Sequence, residues 1–547
     1  MKKYLNSILS MAALLMASAA VFTACSSDDN IIGEQPANPT GKYTMTINAS
    51  KGGDATTRAL SLGRNDADTK NVLNATWDAN EVVLVYQGGS QIGTLHSAAS
   101  TTNETTLTGE LDSAPDAGQD LTLYFHTNAT PSYAGQDGTL ATIASTYDFC
   151  APATITAGSF TVSGSTVSTT SSASFGANQQ AIVKFSLTDK TTTSAISATQ
   201  LVVNDGTTDY TITPASATSE IYVALPGFSG QTVTLTATAG GNTYFYEKTG
   251  VSFTDGQYYE IGVKMSPIIS LSGRFPGDDE LVIADGCILT DFAVGQSCKV
   301  SIADGATVTL RDVENNGKIV DHGTILECRP GIKCLGDATI ILEGNNTVTG
   351  GDQYAGIYVP GDKTLTIRGT GSLNVTGGSS AAGIGGNATG DANCGSIVIS
   401  GGTVTATGGD GGAGIGLGAN GGECKDITIS GGTVTAKGGS GGAGIGLGAR
   451  WGSCKAITIS GGTVTATGSD GAPGIGGVEG VYESITITGD VTKVTVNKGS
   501  YSTYSIGIED DYSWEDCGPI TIGGTVYFDE GSFTNNDLMT SPFVYQP

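Results

Sequence analysis

Apolar and polar residues alternate in short stretches along the first half of the chain. Such stretches begin near Tyr43, Glu81, Leu121, Ala181 and Thr232, and clusters of turn-forming residues separate them. A period of two predicts strands with one buried face, and short strands with turns about every ten residues are typical of β-sandwiches. Long apolar patterns of helical period are missing, so the alternation predicts an all-β protein.

The second half of the chain repeats itself. Residues 397–407 return at 427–437 and again at 457–467, and looser copies extend the pattern over about 281–528. Each repeat holds three apolar pulses between glycine-rich corners and cannot bury them alone, so neighbouring repeats must stack. This pattern predicts a right-handed parallel β-helix with coils of roughly 30 residues.

Within one coil, five apolar residues are expected to point inward and to stack on their counterparts in the next repeat. They are Ile397, Ile399, Val404, Ala406 and Ile415.

Three cysteines share the period of the repeat. Cys394, Cys424 and Cys454 should therefore stack at one corner of the β-helix. Adjacent coils bring such residues within disulfide range, but three in a column cannot all pair. A buried column of free thiols and a single bridge both remain open.

The start of the chain resembles a bacterial lipoprotein export signal. A basic start and an apolar stretch over 8–22 end in small residues before Cys25, which predicts a signal peptide over 1–24 and a lipid on Cys25. An ordinary signal peptide with an incidental cysteine is the alternative. The apolar stretch is shorter than the about 20 residues of a membrane span, so lipid is the predicted membrane attachment.

The polar residues that follow point to a tether and a location. Asp28 and Asp29 resemble the acidic signal that sends some lipoproteins to the outer face of the outer membrane, and residues 25–40 have the composition of a flexible tether.

Charge limits the classes of partner. The chain of 547 residues has 52 acidic against 25 basic side chains, a formal net charge of −27. This balance argues against nucleic acid and anionic lipid as partners. Ten cysteines suit an oxidising compartment, but a lipid on Cys25 would leave an odd number for pairing.

Several short segments of the first half resemble the fimbrillin family of bacterial surface lipoproteins. They are 56–59, 76–78, 136–140, 179–185 and 257–261. The resemblance covers about 41–266 and implies two transthyretin-like β-sandwiches, which we expect at 41–160 and 161–266.

In polymerising members of that family a protease cuts after an arginine, a first strand leaves, and a strand from a neighbouring subunit fills the groove. Arg58 occupies the matching place; the alternative is a solvated arginine in a leading loop. The family's donor strand lies at the C-terminus, whereas this chain continues far beyond 266. The resemblance therefore implies a subunit that accepts a strand, as a tip or accessory subunit.

The second half resembles the β-helical carbohydrate-binding domains of surface adhesins. The resemblance rests on 336–346, on 363–367 and on the repeats themselves. Sugar binding needs an exposed aromatic platform, and Trp451 stands where the preceding coil has Gly421. Further candidates at corners or loops are Tyr354, Tyr358 and Tyr482. The alternative is that these rings only cover the glycine-rich coils.

Catalytic chemistry is not predicted. β-Helical hydrolases need clustered carboxylates, commonly with a histidine, and lyases need a calcium site with a basic residue. Only His322 falls within the β-helix, and the regular strands present threonine, serine and glycine. No cofactor is expected; Asp352 and Asp362 are candidates for a calcium site, with ordinary turn residues as the alternative.

These observations predict a lipid-anchored adhesin or fimbria-associated tip or accessory subunit at the outer membrane and cell surface. Its β-helix would bind glycans, and residues 529–547 would form a C-terminal tail. The alternative is a structural spacer without a ligand, and a polysaccharide lyase or hydrolase is a third interpretation.

Overall fold

A computed structural model describes residues 41–51, 58–64, 71–273, 279–292, 298–321, 324–509, 517–529, 532–534 and 536–547. The predicted signal peptide, the tether with Cys25, and His322 lie outside these residues. The described chain has one α-helix and otherwise strands and turns, so the all-β prediction is confirmed. No helix among these residues is long and apolar enough to cross a membrane.

The elements of the first half are β1 (Tyr43–Lys51), β2 (Arg58–Arg64), β3 (Asn71–Ala75), β4 (Val82–Gln87), β5 (Ser90–Ser97), β6 (Glu104–Leu111), β7 (Leu121–Phe125), α1 (Leu140–Thr146), β8 (Ala153–Ile155), β9 (Phe160–Ser163), β10 (Thr166–Thr169), β11 (Ala173–Phe175), β12 (Ala181–Asp189), β13 (Gln200–Asn204), β14 (Asp209–Ile212), β15 (Glu220–Leu225), β16 (Phe228–Ala239), β17 (Asn242–Phe253) and β18 (Tyr258–Ser270).

In the first domain β1 is an interior strand. The sheet order is β8-β7-β4-β5-β6-β1-β10-β9, and β11 also pairs with β1. Strand β1 runs antiparallel to β6 and parallel to β10 and β11. Its alternate residues Met45, Ile47 and Ala49 are buried in the core of this domain, as the period-two pattern requires. Strands β2 and β3 form a separate antiparallel pair.

The predicted domain boundary at 160/161 is wrong. Strands β9 to β11, residues 160–175, belong to the first sheet through their pairing with β1 and with each other. In contrast, Ile143 of α1 and the following Tyr147 and Phe149 pack in the core of the second domain. The chain thus contributes residues to the second core before the strands of the first sheet are complete. An alternating pattern does not indicate which sheet a strand will join.

In the second domain β12 lies between β15, which is antiparallel, and β18, which is parallel. Strand β18 then continues past this domain. Its residues 258–265 pair with β12, and its residues 268–270 pair in parallel with Ile288 to Thr290. One hydrogen-bonded sheet therefore passes from the second sandwich into the β-helix.

The remaining strands are β19 (Leu281–Ile283), β20 (Ile288–Phe292), β21 (Val300–Ile302), β22 (Ala306–Asn316), β23 (Lys318–Asp321), β24 (Thr324–Cys328), β25 (Ile332–Cys334), β26 (Ala338–Glu343), β27 (Asn345–Thr349), β28 (Ile357–Tyr358), β29 (Thr364–Gly369), β30 (Ser372–Thr376), β31 (Ile384–Gly385), β32 (Ser396–Ile399), β33 (Thr403–Thr407), β34 (Ile415–Gly416), β35 (Gly422–Cys424), β36 (Ile427–Ile429), β37 (Thr433–Lys437), β38 (Ile445–Gly446), β39 (Gly452–Ile459), β40 (Thr463–Thr467), β41 (Ile475–Gly477), β42 (Gly480–Ile487), β43 (Lys493–Asn497), β44 (Ile506–Ile508), β45 (Ile520–Ile522), β46 (Thr525–Asp529), β47 (Ser532–Phe533) and β48 (Phe543–Tyr545), with a 3₁₀ turn at Asp537–Met539.

These strands form the predicted parallel β-helix. Each regular coil contributes one strand to each of three columns, for example β32, β33 and β34. Ile397, Ile399, Val404, Ala406 and Ile415 are all fully buried, and each pairs with its counterpart in the next repeat. The inward-facing set and its ladders are therefore confirmed.

Coil length varies outside the regular region. Ile340 pairs with Ile367 across a coil that is shorter than the regular ones, and Ile367 pairs with Ile399 across a longer one. The strand registers are kept because the extra or missing residues fall in the corners, where backbone geometry is less restricted.

Both ends of the β-helix are covered. At the first coils the sheet continues into β18, and Arg311 of β22 lies 4.1 Å from the ring of Phe245 in β17. At the other end β48 pairs antiparallel with β43, and Leu538 and Phe543 are buried in the core of the β-helix. Residues 536–547, within the predicted C-terminal tail over 529–547, therefore cover the last coil. An open coil would expose strand edges and apolar side chains.

Candidate functional site

Along the chain, Arg58 lies between β1 and the other strands of the first domain. It is the first residue of β2, and its backbone pairs with Ala75. Residues 52–57, which join β1 to β2, lie outside the described part, and the side chain of Arg58 does too. A cut after Arg58 would make β1 a separate segment, held by its pairing with β6, β10 and β11 and by its buried side chains.

The last residue of β1 is a buried lysine. Nζ of Lys51 lies 2.8 Å from Oε2 of Glu81, 3.2 Å from the carbonyl oxygen of Thr76, and 4.0 Å from the ring centres of both Trp77 and Phe125. Only 2% of the Lys51 side chain and 15% of the Glu81 side chain are exposed. Burial raises the pKa of Glu81, and Lys51 opposes that rise. Strand β1 thus supplies the cation that this buried carboxylate requires.

The three periodic cysteines form a buried column. The backbone of Cys394 forms a parallel β-bridge with that of Cys424, and Cys424 pairs in register with Cys454 between β35 and β39. All three thiols are free in this structure and at most 2% exposed. Hydrogen bonding to Cys394, together with burial, raises the pKa of Cys424 well above its usual value. A protonated, buried thiol is a packing residue, so the column acts as part of the core.

Two of the proposed sugar platforms are wrong. Tyr482 is the next member of the cysteine column, paired with Cys454, and is 1% exposed. Tyr358 lies in a third-column strand and is 6% exposed, and burial raises its pKa. Neither ring is open to a sugar, because both residues are almost wholly buried.

Trp451 has the exposure that a platform needs. Trp451 is 56% exposed, while Tyr354 is only partly exposed. Trp451 directly precedes β39, the middle strand of a three-strand stretch formed with β35 and β42. A cavity of about 160 Å³ lies along these strands, and its polar lining comprises Glu423, Lys425, Ser453, Lys455 and Glu483.

The two aspartates considered for calcium lie beside lysines. Asp352 is 3.7 Å from Nζ of Lys318, and Asp362 is 3.3 Å from Nζ of Lys363. Across the described ranges no group of three or more histidines, cysteines or acidic residues is arranged to hold a metal ion.

Other corner carboxylates hold the coils together. A carboxylate oxygen of Asp304 accepts the backbone N–H of Asp337 at 2.9 Å, and Asp337 in turn accepts that of Thr364 at 2.8 Å. Asp312 accepts the N–H of Asn345 at 2.9 Å in the same way. These acids satisfy backbone donors of the next coil and so have a structural role.

Sequence reasoning missed Tyr501, which is 96% exposed. In the six coils whose second-column strands are β27, β30, β33, β37, β40 and β43, the fourth residue after that strand has a left-handed backbone. At β40 this residue is Gly471, and at β43 it is Tyr501, with φ of 69°. The signal was present in the sequence, since Gly411, Gly441 and Gly471 hold this place in the regular coils and tyrosine replaces glycine in the next one.

Comparisons with known proteins agree on the repeat. A family described as a β-helix repeat matches residues 397–419, 427–449 and 457–480, which are the three regular coils. No curated protein matches the chain.

Solved structures give only remote similarity. A fimbrial assembly protein from Parabacteroides distasonis has 11% identity and a TM-score of 0.22, over 40% of this chain and 90% of that one. A protein described as a cell adhesion protein from Bacteroides uniformis has 15% identity and a TM-score of 0.20, over 37% and 94%. The shaft pilin SpaA from Lactobacillus rhamnosus GG has 9% identity and a TM-score of 0.21, over 41% and 98%. Such TM-scores carry no argument about function.

Proposed function

We propose that this protein is a fimbria-associated adhesin subunit of the cell surface, whose uncut form is lipid-anchored through Cys25 at the outer membrane. A cut after Arg58 releases that anchor together with β1, and the subunit then accepts a strand from another subunit in place of β1. The observation that carries this proposal is the position of β1, an interior strand that precedes Arg58 in the chain and pairs on both sides.

Loss of β1 would leave a groove with unpaired backbone groups and exposed apolar surface. The backbone groups of β6 on one side and of β10 and β11 on the other would lose their partners, and the places of Met45, Ile47 and Ala49 in the core would be empty. Unpaired edges and exposed apolar surface are costly, and an extended segment with alternating apolar residues is the occupant that satisfies both.

The chain is suited to accept a strand, whereas its strand β48 is not free to be donated to another subunit. Strand β48 pairs with β43 and helps to close the β-helix, so its release would open the last coil. An acceptor whose β48 is held in the β-helix fits a tip or accessory position, with the β-helix joined to the second domain by the sheet that β18 shares with it.

A second function, glycan binding, is supported by the exposure of Trp451. Trp451, which is 56% exposed, offers a stacking face, and Ser453, two residues further along the chain, lines a cavity to which Glu423, Lys425, Lys455 and Glu483 add hydrogen-bonding groups. The formal net charge of −27 favours neutral over acidic sugars. The rival to this function is a β-helix that serves only as a spacer.

Processing is tested with Arg58→Ala, with Arg64→Ala in the same strand as the matched control. The mature N-terminus of the protein on intact cells is determined by sequencing. We expect wild type and Arg64→Ala to begin at Ala59 when the processing protease is present, and Arg58→Ala to keep β1. The same mature N-terminus for all three proteins would end the strand-exchange proposal.

Glycan binding is tested by applying the whole protein to an array of neutral and acidic oligosaccharides. Trp451→Ala should lose retention, and Trp451→Phe should keep part of it because a phenyl ring still stacks. Equal retention of wild type and Trp451→Ala would assign any glycan binding to another place. Absence of retention for wild type would favour the spacer.

A further inference from the structure

Tyr501 occupies a place where tyrosine is unfavourable for the fold. The corresponding residues of earlier coils are Gln353, Ser380, Gly411, Gly441 and Gly471, all with left-handed backbone. A bulky side chain is disfavoured in this conformation, whereas glycine adopts it freely. The ring of Tyr501 is also almost wholly in solvent, so burial offers no compensation. Tyr501 therefore destabilises the fold, and burial of its ring does not offset this effect.

The loop that carries Tyr501 is held in place on both sides. The carboxylate of Glu509 accepts the N–H groups of Thr503 at 2.7 Å and of Tyr504 at 2.9 Å. Nζ of Lys498 donates to the carbonyl oxygens of Thr503 at 2.9 Å and of Met539 at 3.0 Å. A strained, exposed ring on a fixed loop is an arrangement that binding sites use, because a preorganised side chain loses little freedom when a ligand arrives.

The surroundings of the ring are polar. Tyr501 is the one large apolar side chain exposed in the loop 498–504, beside the exposed Ser500 and Thr503. Exposed Asp470 belongs to the preceding coil, where the N–H of Gly471 donates to the carbonyl oxygen of Ser500 at 2.7 Å. A protein partner would need a broader apolar centre, and a polyanion would be repelled.

We infer that the loop 498–504 is a binding site for a neutral sugar residue, with the ring of Tyr501 as its stacking platform. This inference rests on the proposed adhesin function and places a site at the closed end of the β-helix, apart from Trp451. The aromatic face contacts the C–H side of a sugar ring, and the neighbouring hydroxyl and carboxylate groups accept hydrogen bonds from sugar hydroxyls.

The test uses the full chain with Tyr501→Gly, Tyr501→Phe and Trp451→Ala. Affinity electrophoresis is run in gels that contain neutral β-glucan, mannan or galactan, with polygalacturonate as the anionic comparison. We expect at least one neutral polymer to retain wild type. For that polymer Tyr501→Gly should bind about tenfold or more weakly and Tyr501→Phe within about threefold of wild type.

Thermal unfolding separates a lost site from a lost fold. Because glycine suits the left-handed backbone, Tyr501→Gly should melt at the same temperature as wild type or higher, even though it binds worse. Equal retention of Tyr501→Gly and wild type overturns the inference, and so does the absence of retention by every neutral polymer. If Trp451→Ala alone loses binding, the Tyr501 site is refuted while the adhesin proposal stands.

Discussion

Replacement of Lys51 by methionine tests how strongly β1 is held in the first domain. Methionine keeps most of the aliphatic stem of lysine but removes the charge that lies 2.8 Å from Glu81. It also removes the cation that lies 4.0 Å from the ring centres of Trp77 and Phe125. The variant thus isolates the buried charge from the packing of the side chain.

The expected loss is large because Lys51 is buried and only 15% of the Glu81 side chain is exposed. Removal of one partner of a buried ion pair destabilises by about 3–5 kcal/mol, since the other charge is left without compensation. Replacement of both, as in Lys51→Met with Glu81→Leu, should restore most of this loss. The exposed pair of Lys42, which directly precedes β1, and Glu110 of β6 is the matched control, and Lys42→Met should change stability little.

The loss should also depend on pH. The folded-state pKa of Glu81 is raised above its ordinary value of 4.5, so the folded state binds this proton more tightly than the unfolded state. Stability from this group therefore increases as pH falls through the window above that ordinary value. In Lys51→Met the pKa of Glu81 should rise further, and acidification should recover part of the loss.

The assay is hydrogen exchange of the β1 and β6 backbone amides, combined with urea unfolding of wild type and the three variants at pH 7 and pH 5. Exchange reports the first domain separately, which matters because a chain of several domains does not unfold in one step. A loss for Lys51→Met as small as that for Lys42→Met would refute the reasoning, as would a double variant no more stable than the single one.

Two further predictions concern the other domains. Ile445→Ala, in the ladder between Ile415 and Ile475, should destabilise the β-helix by about 2–5 kcal/mol in urea unfolding, whereas exposed Thr435→Ala should stay within about 0.5 kcal/mol. Burial alone would raise the pKa of Asp205, but hydrogen bonds, first among them from Thr207, lower it. The stability that Asp205 contributes should therefore be present above its unfolded-state pKa of about 3.9 and should be lost as pH falls through its lower folded-state pKa. In Asp205→Ala the free energy of unfolding should fall less steeply over this acidic range.

The repeat made the β-helix predictable to the level of single side chains. Where the period is constant, residues 30 positions apart in the sequence are paired in adjacent coils. The pattern alone therefore places Ile397 and its counterparts on the inner face. Where coils differ in length this equivalence fails. Tyr482 pairs with Cys454 across a coil that is shorter than the regular ones, and without that register its burial could not be inferred from the sequence.

The sandwich region was predictable as strands but not as connections. All five alternating stretches are strands, because period two reflects a local requirement of the backbone. The crossing of 160–175 back to β1 depends on contacts between residues far apart in the chain, such as Met45 with Val167. Local pattern carries no information about such pairings, which is why the domain boundary was misplaced.

The geometry of β1 also specifies the strand that would replace it. A donor must fill the places of Met45, Ile47 and Ala49 with apolar side chains at alternate positions, and at the next alternate position it must bring a cation to Glu81. Methionine at that last position would leave the carboxylate buried without a partner, as in the Lys51 variant. Once the chain is cut after Arg58 and β1 is removed, a synthetic peptide of this pattern with lysine should bind about a hundredfold or more tightly than its methionine counterpart. Equal binding of the two peptides would mean that the groove reads apolar pattern alone and that Glu81 finds its compensation elsewhere.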